Sequence, residues 1–192
     1  VDLITVHLRE DRRHIKDKDV HSLRKSNLLP LNLEMAATNE MKKICLKTKP
    51  SSCCLVPERR EELTTEGGLD VNSQKEFLGN FVSDLIKSNI KLSLFIDPDI
   101  EQINAAYDIG VRTIEIHTGN YSRSFNKDGY INELNRIKKA ADHCLQLGMD
   151  CHAGHGLNFE NVKAISTIPN IIELNVGHFL IAHSIFDGLV PK

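Results

Sequence analysis

The chain has no apolar run near the roughly 18 residues that a membrane-spanning helix needs. Its opening, VDLITVHL, has neither the basic start nor the cleavage site of a secretory signal, so the expected location is the cytoplasm. It also lacks a dominant sign of charge. Lys and Arg number 24 against 26 Asp and Glu, and no net field points to nucleic acid or an anionic membrane surface. Cysteine is sparse: the five (Cys45, Cys53, Cys54, Cys144, Cys151) are odd in number and contain no CxxC pair. That fits neither a disulfide framework nor a zinc module, and it suits a reducing compartment in which cysteine behaves as a small hydrophobe. There is no GxGxxG after the first strand and no GxxxxGK[ST] anywhere, so both phosphate-loop signatures of open α/β sheets are missing. HExxH is absent, and so is a His-x-His pair on the first strand. The partners left are small or neutral molecules.

What is present is alternation. With 192 residues and 41% hydrophobic side chains, the chain is expected to form one domain, 1–192. Seven strand-like runs occur: 3–8, 31–35, 53–56, 91–97, 112–117, 149–153 and 171–176. Amphipathic stretches lie between them, with Ser73 and Asp99 placed to cap helix starts and Gly110 and Gly148 placed just past helix ends. Such β, α, β, α order implies parallel strands joined by helical crossovers. Without phosphate-loop signatures it favours a (β/α)8 TIM barrel. A whole barrel has eight strands and about 250 residues. The expectation is therefore an incomplete barrel of about seven strands, missing a piece at each end.

Polar residues collect at the carboxyl ends of these strands, where a barrel builds its active site. Side chains alternate along a strand, so Thr5, His7 and Arg9 share one face and Val6 and Leu8 the other. Asn32 and Glu34 likewise oppose Leu31, Leu33 and Met35. Glu115 and His117, then His155, then Asn175, Gly177 and His178 end later units. Five units converging on His, Glu, Asn and Arg point to a site, because burying so many ionisable groups without function is costly. The chemistry available is proton transfer, with His7, Glu34 and His155 as candidate donors or acceptors. Lys91, at a strand start, belongs at the wrong end for a Schiff base. Gly156 and the pair Gly177-His178 leave bare backbone where the last strands end, a frequent phosphate position ahead of a short helix, here HFLIAHSIF. The segment 57–70, PERREELTTEGGLD, reads equally as a surface loop or a substrate loop, and 121–130, YSRSFNKDGY, as a surface loop. Two rival readings stay open. One is a metal-dependent barrel hydrolase with His7, His117, His155, His178 and Glu34 around a zinc or iron ion. The other is an inactive truncated remnant that only pairs with another subunit.

The stretches ITVHLREDRRHI, NLEMA, CCLVPERREELTTEGGLDV, SLFID, IEIHTGNY, AGHGLN and ELNVGH cover almost the whole chain. In that order and spacing they resemble the pyridoxine 5'-phosphate synthases of vitamin B6 biosynthesis. The resemblance implies a cytoplasmic homo-oligomer that condenses 1-deoxy-D-xylulose 5-phosphate with 3-amino-2-oxopropyl phosphate, releasing phosphate and water, with no metal or organic cofactor. It implies His7 and Glu34 as general acid/base residues, His155 as proton donor and Glu115 as stabiliser of a transition state. Arg9, His14 and Thr64 would bind the deoxyxylulose phosphate, and Gly156, Gly177 and His178 the aminoketone phosphate. Glu10, Asp11, Arg12 and Arg13 would mainly hold their loop. Three departures stand out: the chain starts after the family's first βα unit, the closing helix is absent beyond Pro191, and Ala182-His183 replaces the usual Gly-Arg. An unclosed barrel exposes strand edges. The expectation is that the 192-residue chain alone has little synthase activity and gains it when the first unit is restored.

Overall fold

The computed structural model describes residues 1–58 and 67–188. Seven parallel strands alternate with helices. They are β1 (Ile4–His7), β2 (Leu31–Met35), β3 (Ser52–Leu55), β4 (Lys91–Ile96), β5 (Thr113–His117), β6 (Asp150–Gly154) and β7 (Ile171–Asn175). The helices are α1 (Asp17–Ser26), α2 (Asn39–Thr48), α3 (Lys75–Lys87), α4 (Ile100–Asp108), α5 (Gly119–Ser124), α6 (Tyr130–Gln146), α7 (Val162–Ser166) and α8 (His178–Asp187). The strands pair in chain order, β1 to β7, in one curled sheet. Among the described residues β1 and β7 pair with no eighth strand. Their side chains still meet: the Thr5 hydroxyl donates to Asn175 Oδ1 across 3.0 Å. This is the expected incomplete TIM barrel.

The two faces of the sheet differ in chemistry. Outward residues such as Leu33, Met35, Leu55, Leu94, Ile96, Ile114 and Ile116 are fully buried under Leu78, Val82, Leu85, Ile103, Ala106 and Ala141 of the helices. Burying one such side chain contributes about 1.5 to 3 kcal/mol, and this layer holds the fold together. Inward positions are polar. Register sets His7 beside Glu34, Glu34 beside Cys54, Cys54 beside Ser93, and Glu115 beside His152. Most barrels fill that space with Val, Ile and Leu, so the polar lining marks this interior as built for chemistry.

The stop signals hold. Gly110 (φ +90°) and Gly148 (φ +66°) follow α4 and α6 in left-handed conformations that cost glycine nothing. In each case the next amide reaches back to the last turn: Val111 N–H donates to Ala106 O and Met149 N–H to Cys144 O. Two expected caps are not made. Asp99 precedes α4, but its carboxylate accepts from Arg136 Nη2 at 2.7 Å instead of the helix amides. The Ser73 hydroxyl donates to Asp70 Oδ2 at 2.6 Å. The stretch 121–130 is a surface loop only in part: 121–124 complete α5 and Tyr130 opens α6, with an exposed turn at 126–129 between them. Tyr121 is fully buried, its hydroxyl donates to Asn161 O at 2.6 Å, and its ring packs on Phe125 and Tyr130. The Ser, Asn and Lys-Asp-Gly around them carry turn chemistry that masks this aromatic cluster.

Candidate active site

Three groups of polar side chains stand at the carboxyl ends of the strands or just inside them. The first belongs to β1, β2 and the residues after β3. His7 Nε2 lies 3.3 Å from Glu58 Oε2, and His7 Nδ1 lies 4.0 Å from Glu34 Oε2. Glu58 Oε1 accepts the Glu10 amide at 2.9 Å and stands 3.6 Å from Arg9 Nε, which is also 3.6 Å from Asp11 Oδ1. Arg9 Nε is buried and makes no hydrogen bond among the described residues. The loop beyond is braced by Arg12, in a left-handed conformation (φ +54°). Its guanidinium donates to Asp17 at 2.8 Å, to Glu40 at 2.5 Å and to the Glu10 carbonyl at 2.9 Å. Arg13 pairs with Asp11. Burial pushes the Glu34 carboxyl up to about 7. Burial also lowers His7, although the Glu58 carboxylate opposes the shift.

The second group runs through the interior. Glu115, on β5, is buried, and its Oε2 accepts from Asn175 Nδ2 at 2.9 Å and from Cys54 Sγ at 3.9 Å. Cys54 is therefore more than apolar filler. The chain of bonds continues from Thr5 to Asn175 Oδ1 and from Asn32 Nδ2 to Thr5 at 3.3 Å, joining β7, β1 and β2. Gly154 makes room for Glu115, because a Cβ there would collide with Oε1. Burial raises the Glu115 carboxyl well above the ordinary range, and the charges of Glu34 and Glu173 add to it. Glu173 behaves oppositely: His152 Nδ1, 3.1 Å away, holds it low. Toward the amino ends lies a cavity of about 400 Å³ lined by Asn32, Ser52, Lys91, Ser93, His152 and Glu173, which confirms Lys91 at the end away from the site.

The third group closes β4, β5 and β6. Asp97 Oδ1 lies 3.0 Å from His117 Nδ1, and Asp97 Oδ2 accepts the Gly68 amide at 3.2 Å. A carboxylate can only accept, so His117 Nδ1 carries the proton and Nε2 is left bare, buried and without a partner among the described residues. The His117 and His155 rings meet edge to face at 5.0 Å, with Phe95 packed against His117 at 4.9 Å. A side chain at Gly119 would run into His117 Nε2. His155 has φ +83°, an unusual conformation for a non-glycine residue, and its carbonyl accepts from the buried Thr118 hydroxyl at 2.7 Å. Burial lowers the His155 imidazole, and positive charge on His117, Arg123 or His178 would lower it further.

The structure thus groups His7, Arg9 and Glu34, sets Glu115 in the interior beside His152, and puts His155 just past β6 against His117. Gly156 (φ +77°) follows His155 and packs on Ser122, where a Cβ would crowd the serine side chain. Gly177 is the N-cap of α8 and His178 its first, exposed residue. His14 is exposed and makes no hydrogen bond or ion pair to another described residue. Thr64 lies outside the described residues. Sequence reasoning missed Glu58, Asp97, His152 and Glu173. Asp97 and Glu58 obeyed the same strand-end rule that found the others, but a lone carboxylate after a strand is too common to single out. Among the described residues no group of three His, Cys, Asp or Glu side chains is arranged to hold a metal ion. No helix among them is long and apolar enough to cross a membrane.

The family profile described as pyridoxal phosphate biosynthesis protein PdxJ matches residues 1–191. A pyridoxine 5'-phosphate synthase of Blochmanniella floridana is 55% identical over 192 residues, which is 100% of this chain and 77% of that relative. A protein of the same name from Ehrlichia canis (strain Jake) is 50% identical over 188 residues, 98% of this chain and 77% of its own length. Among solved structures, 3-keto-L-gulonate-6-phosphate decarboxylase from Vibrio cholerae superposes with a TM-score of 0.68 at 12% identity, covering 98% of this chain and 80% of the other. The YdjI aldolase from Escherichia coli K12 gives 0.61 at 9% identity, with 96% and 69% covered. At such identities these two likenesses concern the fold alone.

Proposed function

The chain belongs to the PdxJ family of pyridoxal phosphate biosynthesis proteins, and on that premise we propose that it acts as a pyridoxine 5'-phosphate synthase. In this reading it condenses 1-deoxy-D-xylulose 5-phosphate with 3-amino-2-oxopropyl phosphate and releases phosphate and water. Joining an amine to a ketone expels the carbonyl oxygen as water only after that oxygen is protonated, and closing the ring needs a proton taken from carbon. One site must therefore give and take protons near neutral pH. The observation that carries the reading is His7 beside Glu34, which burial pushes up to about 7, with His155 just past β6 of the same curled sheet.

The roles follow from these surroundings. His7 and Glu34 exchange protons with substrate, His155 donates to the departing oxygen, and Glu115 offers a buried carboxyl to the charge that develops. Arg9, whose fork suits phosphate oxygens, binds the deoxyxylulose phosphate with His14 and Thr64. Gly156, Gly177 and His178 hold the aminoketone phosphate against the start of α8. We place the protein in the cytoplasm as a homo-oligomer, as the family resemblance implies. The test joins the family's first βα unit ahead of Val1 and supplies both substrates. Pyridoxine 5'-phosphate should appear together with inorganic phosphate. A folded protein that makes neither would overturn the proposal in favour of an inactive remnant.

A further inference from the structure

His7 ends β1 with its two ring nitrogens facing carboxylates of different character. Nδ1 faces Glu34 at 4.0 Å and Nε2 faces Glu58 at 3.3 Å. The Glu58 side chain is only 3% exposed, and a charged carboxylate so deeply buried has to be compensated. Three neighbours supply this: the His7 ring, the Glu10 amide at 2.9 Å and the Arg9 guanidinium at 3.6 Å. All three belong to one short segment, His7 to Glu10. A single carboxylate carried by the residues after β3 therefore ties down the backbone, the cation and the imidazole with which that segment enters the site.

We propose that Glu58 is the positioning residue of His7: it accepts the Nε2–H, leaving the Nδ1 lone pair turned toward Glu34 and the pocket, and it stabilises the positive ring formed when Nδ1 takes up a proton. The inference rests on the acid/base role proposed for His7. The proton arrives at Nδ1 from substrate or from Glu34 and leaves by the same atom, while Nε2 keeps its own, so no other reactant is needed. An Asp or Glu behind an imidazole fixes its tautomer in this way in the Ser-His-Asp arrangement. Arg9 and Asp11 are the other charged groups that bear on the ring, and the titratable Glu34 faces its Nδ1. Arg9 opposes the proton and Asp11 favours it, so Glu58 is the contact whose removal has one clear sign. Burial lowers His7 and Glu58 raises it, so loss of the Glu58 charge should lower it further.

The experiment uses Glu58→Gln, whose amide oxygen can still accept the Glu10 amide. Nitrogen-15 NMR of the unsubstituted protein should show neutral His7 protonated at Nε2. In E58Q the His7 titration midpoint should fall by about one to two pH units. A neutral ring protonated at Nδ1, or a midpoint unmoved by E58Q, overturns the proposal. In the chain carrying the restored first unit, the acid limb of kcat/KM should move to lower pH with the NMR midpoint. If the midpoint moves and the limb does not, Glu58 still positions His7, and it is the acid/base role of His7 that fails.

Discussion

Replacing Glu34 by Gln should stabilise the protein and inactivate it, and the stabilisation should grow with pH. The carboxyl, ordinarily near 4.5, is pushed up to about 7 by burial. Between those values the folded state keeps a proton that the unfolded state has lost. Stability therefore falls as pH rises through that window and stays lower above it. A displacement of this size corresponds to about 3 kcal/mol. The side chain is 23% exposed, so solvent screens part of this and about 1 to 3 kcal/mol should survive. Glutamine has nearly the same shape and no charge to desolvate. Urea unfolding of both proteins at pH 4 and pH 8 should give a difference close to zero at pH 4, rising to about 1 to 3 kcal/mol in favour of Gln at pH 8. Taking the difference cancels the other titrating groups. In the chain with its first unit restored, the same substitution should lower kcat by about a hundredfold or more, the contribution of a general acid or base. An equal stability difference at both pH values would refute the burial argument, and retained turnover would remove Glu34 from the chemistry.

Two further substitutions probe the other groups. Asp97→Asn cannot accept both the Gly68 amide and the His117 Nδ1–H, so nitrogen-15 NMR should show the proton moved to Nε2 and kcat/KM about ten- to a hundredfold lower; an unchanged tautomer would refute the assignment. Gly154→Ala drives a Cβ into Glu115 Oε1 and should cost about 1 to 3 kcal/mol in urea unfolding, whereas no loss would mean that Glu115 moves without cost.

The fold was legible because each strand is apolar on its outward face and polar on its inward one, as in LNLEM, with Leu31, Leu33 and Met35 against the helices and Asn32 and Glu34 inside. That contrast also brought out His7, Glu34 and Glu115, since alternation alone fixes which side of a strand a residue takes, whereas His155 lies past the end of β6, beyond the reach of alternation. It does not fix what stands opposite. His7 meets Glu58, 51 residues later, and Asp97 meets His117 through the pairing of β4 with β5. Those contacts depend on register and on the path of a loop, which no local pattern encodes. Asp99 shows the same limit: its position matched a helix cap, and Arg136, brought in by α6 packing beside α4, took the carboxylate instead.

The carboxylates of this barrel divide by environment, and the division supports the proposed chemistry. Burial raises both Glu34 and Glu115, Glu34 to about 7 and Glu115 well above the ordinary carboxyl range. Asp97 and Glu173 each bond an imidazole, His117 and His152, and are held ionised. Carboxyls with tuned, separated affinities let one site run acid and base steps at a single pH. The raised pair lies at the carboxyl end of β2 and in the interior, where the proposed chemistry needs a proton offered. The ionised pair stands behind histidines, where charge orients a ring without entering the reaction. Glu58 also faces a histidine, His7 at 3.3 Å, while nearly excluded from solvent. The imidazoles of His7 and His117 each face a carboxylate, and the arrangement proposed to make His7 a base recurs at His117, whose Nε2 lies buried beside His155.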